Sequence, residues 1–144
     1  MFKLFASRPF NDPMLGSFQR ARGLWRGTLA LAGTSLPLSI YGTRSAPDAG
    51  ALAIARLLPA TWSSNRELVA QALIEHQEAY RETIEPTADV WQFVTFLSAS
   101  VTPFDGELIA EIALAVTWDE EHTLGARFEG PAFAELNGSI LPEY

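Results

Sequence analysis

Between Ile109 and Leu141 apolar residues recur at every second position. They run through Ile112, Leu114, Val116 and Trp118, then Leu124, Ala126 and Phe128, then Ala134, Leu136 and Ile140. That period lays one face of each run on a core and predicts three strands. It leaves the charged tetrapeptide Asp119-Glu120-Glu121-His122 in the connection between the first two. The front of the chain reads similarly. Residues 1–13 form an N-terminal arm ending in the turn Asn11-Asp12-Pro13. Extended runs Met14 to Arg20 and Leu24 to Leu31 meet across Ala21-Arg22-Gly23, a hairpin signal, and a third run, Ser35 to Tyr41, follows Ala32-Gly33-Thr34. Pro37 cannot donate to a ladder, which points to an edge or a bulge and leaves homodimerisation open there.

The middle of the chain changes period. Ser45 with Asp48 three residues on, and Pro47 between them, signals a helix start. That helix turns Leu52, Ala53, Leu57 and Ala60, or residues near them, inward and stops or kinks around Pro59. Ser64 followed by Glu67 opens a second helix, whose stripe Leu68, Val69, Ala72, Leu73, His76 and Tyr80 lies opposite Glu67, Glu75, Glu78 and Glu82, with Pro86 as terminator. Residues 87–104 begin helical or irregular and become a strand from about Phe96 to Thr102, before the turn Asp105-Gly106. The order predicts an α+β fold: an antiparallel or mixed β-sheet, built of an N-terminal three-stranded meander and C-terminal strands, with about two helices on one face. The 144 residues read as a single domain, divided into the arm (1–13), the meander (14–44), the helical segment (45–85) and the C-terminal strands (86–144).

Composition narrows the chemistry. With no cysteine, disulfides, thiolate zinc sites and cysteine nucleophiles are excluded, and two histidines cannot build a His-rich metal centre. Nine of the ten basic residues are arginine and alanine is abundant, a high-GC bacterial composition. The start MFKLFASRPF is too short and too interrupted for a secretory h-region, and no window reaches the ~20 apolar residues of a membrane span. The expectation is a cytoplasmic protein.

The net charge of −7 hides a split: residues 1–66 hold eight basic side chains against two acidic ones, +6, and residues 67–144 hold two against fifteen, −13. Either the halves neutralise each other across a shared sheet, or the acidic half offers a face to a basic partner. Nucleic-acid binding is disfavoured, because an acidic chain without a Lys/Arg cluster cannot neutralise phosphates.

The densest polar chemistry is Trp118, Asp119, Glu120, Glu121 and His122, the expected partner-binding residues. Asp119, Glu121 and His122 are also candidate ligands for a divalent metal, and His122 a candidate general base beside a carboxylate. No motif marks a nucleophile, a phosphate loop or a dinucleotide fold, so no catalytic residue and no cofactor is assigned. His76, on the helical stripe one turn from Tyr80, reads as a satisfied, half-buried histidine. The four tryptophans read as core anchors, with Trp25 beside Arg26 as an alternative exposed contact. Arg20, Arg22 and Arg26 share a hairpin and are expected to pair with the acidic half.

At Trp118-Asp119-Glu120-Glu121-His122-Thr123-Leu124-Gly125 the chain resembles small uncharacterised bacterial proteins whose strand ends in a W-D-x-E-H-x-L motif. Asp12-Pro13-x-Leu15-Gly16-x-Phe18, with Trp25-x-Gly27 after it, is similar to the same domains of unknown function. This resemblance implies an immunity-type or partner-binding role. The leading expectation is therefore a non-enzymatic protein-interaction domain whose acidic face binds a basic protein such as a nuclease toxin. The alternative is a metal-binding protein or metal-dependent hydrolase centred on Asp119, Glu121 and His122.

Overall fold

Three hairpins are closed by two-residue turns in which both residues have positive φ: Arg22-Gly23, Ala32-Gly33 and Asp105-Gly106. That turn matches the right-handed twist of the strands it joins, and glycine takes the second position without a Cβ penalty. In the computed structural model, which describes residues 8–80 and 89–140, these turns organise an eight-stranded sheet whose spatial order follows the chain. Strands β1 (Phe10–Asp12), β2 (Gly16–Ala21), β3 (Leu24–Leu31) and β4 (Thr34–Ile40) form an antiparallel meander. Strand β5 (Val94–Phe104) lies parallel to β4, and β6 (Glu107–Val116), β7 (Asp119–Glu129) and β8 (Ala132–Ile140) continue antiparallel. The single parallel pairing follows from the crossover through helix α1 (Ala49–Ala79) and a short 3-10 helix at Val90–Phe93. The expected α+β class stands, and so does the N-terminal meander, with four strands rather than three. In the segment 87–104 the described residues begin with the 3-10 helix Val90–Phe93, and the strand expected from about Phe96 starts at Val94 and runs to Phe104. The arm is partly a strand, because Phe10–Asp12 pairs with β2.

The helical segment differs from expectation: there is one 31-residue helix rather than about two. It passes through Pro59, forfeiting a donor to the Ala55 carbonyl. Buried side chains on both sides of that point, Ala55 and Leu58 before it and Trp62 and Val69 after it, hold the two halves on one sheet face. The cap is Asp48, whose carboxylate accepts from the Ala51 N–H at 3.0 Å, and not Ser45. Ser64 and Glu67 are mid-helix. Leu57, Leu68, Ala53 and Ala60, expected inside, are exposed, because the buried line runs instead through Ala51, Ala55, Leu58, Trp62, Val69 and Leu73. The stop expected at Pro86 lies outside the described residues.

The core is one cluster between α1 and one face of the sheet. Register explains it. Trp25, Ile40, Val101, Ala110 and Phe128 fall on one row across five strands, and Leu38, Ala99, Ile112 and Ala126 on the next. Trp62 meets Phe128 of the first row edge-on, with ring centroids 6.4 Å apart, and packs in the same way on Trp91 and Phe96 at 5.2 Å each. Asn65 ties the helix to the β7–β8 turn, donating to the Pro131 carbonyl at 2.8 Å and accepting from the Phe133 N–H at 3.2 Å. Trp25 is wholly buried, its indole N–H donating to the Thr43 carbonyl at 2.8 Å, so it is not an exposed contact. Pro37 pairs with Thr28 on the part of β4 beyond its contact with β5, which involves only Leu38–Ile40. The sheet edges are β1 and β8, so Pro37 is not on an edge strand.

The opposite sheet face carries a polar row: Arg26, Ser39, Ser100, Glu111, Arg127 and Glu135 stand side by side on consecutive strands β3 to β8. Arg127 bridges Glu111 at 2.7 Å and Glu135 at 3.2 Å, all within the acidic half, while Arg56 pairs with Asp12 within the basic half. These contacts do not join the two halves. No helix among the described residues is long and apolar enough to cross a membrane.

Candidate functional site

The tetrapeptide Asp119-Glu120-Glu121-His122 does not lie in a connection. Val116 pairs with Asp119 across the tight turn Thr117-Trp118, so the charged residues open β7. Trp118 and Asp119 are buried, each 5% exposed, while Glu120, Glu121 and His122 face solvent. The alternating pattern cannot distinguish these two classes, because burial here depends on the end of α1 that packs against them.

That end supplies two residues. The Tyr80 hydroxyl donates to Asp119 Oδ2 at 2.6 Å, and the Trp118 indole N–H donates to His76 Nδ1 at 2.9 Å. His76 and Tyr80 are one helical turn apart with ring centroids 5.1 Å apart. His76 is therefore the satisfied, half-buried histidine expected from its stripe. Its partner, 42 positions away, is not legible in local pattern. His122 Nδ1 lies 2.9 Å from both oxygens of Asp119, and the Glu121 backbone N–H adds a further hydrogen bond to that carboxylate.

The electrostatics follow from these contacts. The Tyr80 hydroxyl, more than any other group, holds the Asp119 carboxyl below its usual range, with His122 adding to the effect and burial opposing it. The same carboxylate pushes the Tyr80 phenol up. Burial pushes His76 down, against the attraction of Asp119 and with the repulsion of His122. Neutral His76 with its proton on Nε2 is the form that can accept from Trp118.

Beside this cluster is an open depression of about 320 Å³, lined by Phe93, Thr95, Thr117, Asp119, Glu120 and His122 among others. The Asp119–His122 contact orients the imidazole and leaves Nε2 as its remaining nitrogen, the geometry a carboxylate gives a general base. Asp119 is the poorest cation ligand of the three candidates, since Tyr80, His122 and a backbone N–H already occupy its oxygens. Among the described residues no group of three His, Asp or Glu side chains is arranged to hold a metal ion. Glu120 and Glu121 make no ion pair with a described cation.

The family model of a domain of unknown function, DUF6985, matches residues 31–138, and the chain belongs to that family. The match covers the stretch from the end of β3 through most of β8, including His76, Tyr80 and Trp118 to His122. No curated protein and no solved structure matches the chain.

Proposed function

We propose that the protein is a non-enzymatic, cytoplasmic interaction domain of immunity type that captures a basic protein partner through the ledge Trp118 to His122. The observation that carries this reading is the contrast within five residues. Trp118 and Asp119 are locked to His76 of α1 and to its C-cap Tyr80, while Glu120, Glu121 and His122 project from that base, and neither glutamate makes an ion pair with a described cation. A rigid base limits the side-chain ordering lost on binding, and exposed carboxylates steer a cationic surface. His122, held by Asp119, offers Nε2 as a hydrogen-bonding group beside them.

The test compares the wild type with Glu120→Lys/Glu121→Lys as bait in native lysate at low and high salt. The expected outcome is a partner held by the wild type at low salt, weakened by salt, and held by the double variant less tightly and with less salt dependence. Recovery of the same proteins by both baits at every salt concentration refutes the reading.

A further inference from the structure

The depression beside the ledge is built mainly on paired strands. Thr95 on β5 pairs with Ala115 on β6, and the next pair, Phe96 with Leu114, faces the core from the other side of the sheet. Ala115 is the small residue on the outer side, so the sheet surface is hollow over it. Phe93 ends the 3-10 helix and walls one side, and its carbonyl accepts the Thr117 N–H at 3.1 Å. Val94 pairs with Val116, and Val116 with Asp119, so wall, floor and ledge are joined through the main chain. A hollow fixed in this way needs little ordering when a ligand enters.

The groups around it select a cation with several donors. Glu120 and His122 line the depression, while Glu121 between them does not. Asp119 lines it too, but Tyr80, His122 and the Glu121 N–H already engage its carboxylate, so it supplies charge more than contacts. With Nδ1 donating to Asp119, the neutral His122 ring presents Nε2 as an acceptor, and the hydroxyls of Thr95, Thr117 and Thr123 can accept as well. Among the described residues no lysine or arginine lines the depression, and Glu120 makes no ion pair with a described cation.

Three cations compete on chemistry. A bare metal ion finds no group of three ligands among the described residues. An ammonium is a compact, strongly hydrated charge with three donors. A guanidinium spreads five donors in one plane, sheds water more readily and lies over aromatic rings, which suits scattered acceptors beside Phe93. The volume of about 320 Å³ stands at the low end of small-ligand sites, room for one long side chain. We propose that this depression is the socket for a single arginine side chain of the basic partner, which rests on the reading of the ledge given above.

The probes are the tripeptide Gly-Arg-Gly, its citrulline analogue, in which an uncharged urea of the same shape replaces the guanidinium, and Gly-Lys-Gly. Each is added at constant ionic strength to the isotope-labelled protein and followed by amide NMR shifts. Gly-Arg-Gly should shift Thr95, Thr117 and Glu120 saturably, with a Kd of about 1–10 mM for one side chain in an open site. The citrulline peptide should leave them in place, and Gly-Lys-Gly should bind at least about threefold more weakly. Glu120→Gln should weaken Gly-Arg-Gly about three- to fivefold, and Glu121→Gln, the same charge lost outside the depression, less than about 1.5-fold. Ala115→Leu should abolish binding by filling the floor with every carboxylate in place. The two glutamine variants alter only exposed residues and decide the matter if Ala115→Leu does not fold. No localised shift up to about 50 mM overturns the proposal. So do equal effects of Glu120→Gln and Glu121→Gln, equal binding of the arginine and lysine peptides, or binding that persists in folded Ala115→Leu. A partner captured equally by the wild type and Ala115→Leu overturns the socket and keeps the ledge reading. Localised Gly-Arg-Gly binding without salt-dependent capture refutes the ledge's protein partner and keeps the guanidinium socket.

Discussion

Lowering the pH from 7.5 to 5 should loosen the junction between the end of α1 and the β6–β7 turn, through His76. Its Nδ1 accepts the Trp118 indole N–H at 2.9 Å, and a protonated ring would present an N–H to that N–H. Burial holds the folded-state value of His76 below the ordinary 6.5, so the unfolded chain binds the proton first. The stabilisation from the neutral acceptor is therefore complete above about pH 6.5 and is lost as pH falls towards the folded value. The groups facing His76 are Tyr80 on its own helix, Asp119 and His122 from β7, and the backbone at Gly138 of β8. Of these Asp119 favours the proton and His122 opposes it. One net hydrogen bond corresponds to about 1 kcal/mol, which for a domain of this size is a shift of roughly 2–4 °C in Tm. The assay is thermal melting across pH 5–7.5 for the wild type and His76→Gln, which keeps an acceptor but does not titrate, together with NMR titration of the imidazole. The variant should lose about that much of the wild type's pH slope. An identical slope in both proteins, or His76 titrating at or above 6.5, refutes the reasoning.

Two further substitutions test the packing of the sheet and of the helix upon it. Asp12 accepts from the Met14 and Leu15 N–H groups at 3.0 and 2.8 Å and pairs with Arg56, so Asp12→Ala should cost about 2–3 kcal/mol by chemical denaturation. The figure stays below that of a fully buried pair because Arg56 is partly exposed and can rehydrate; a loss under about 0.5 kcal/mol contradicts it. Arg56 and the two N–H groups lower this carboxyl from 3.8 to about 2, so its contribution is present above pH 3.8 and is lost as pH falls through 2. Gly125 lies under the Glu111–Arg127 pair, where an added Cβ would fall 2.7 Å from Glu111 Oε2 and 3.0 Å from Ile140 Cδ1. Gly125→Ala should destabilise by about 1–3 kcal/mol, and the cost should shrink in a Glu111→Ala background, as a double-mutant cycle would show.

Sequence alone determined what local chemistry controls. Arg22-Gly23 and Asp105-Gly106 mark hairpins because a two-residue turn between twisted strands requires positive φ, and the two-residue period of β6 and β7 fixes which face each residue takes. In β8 register shifts break that period: of Ala134, Leu136 and Ile140, expected on one core face, Leu136 packs on the core together with Phe133, while Ala134 is exposed and Ile140 pairs with Thr123 and lies against Gly125 on the other face. The match to DUF6985 agrees with the resemblance to a domain of unknown function. Tertiary structure decided the rest. Pro59 reads as a break because its missing donor is a local cost, yet burial on both sides of it outweighs that cost and keeps α1 whole. Leu57 and Leu68 read as core because the chain is apolar there on both helical faces, and only the position of the sheet says which face is covered. The roles within Trp118–His122 depend on His76 and Tyr80, 42 and 39 positions away. Burial and hydrogen bonding between such distant segments are properties of the packed sheet and helix, and no periodicity along the chain encodes them.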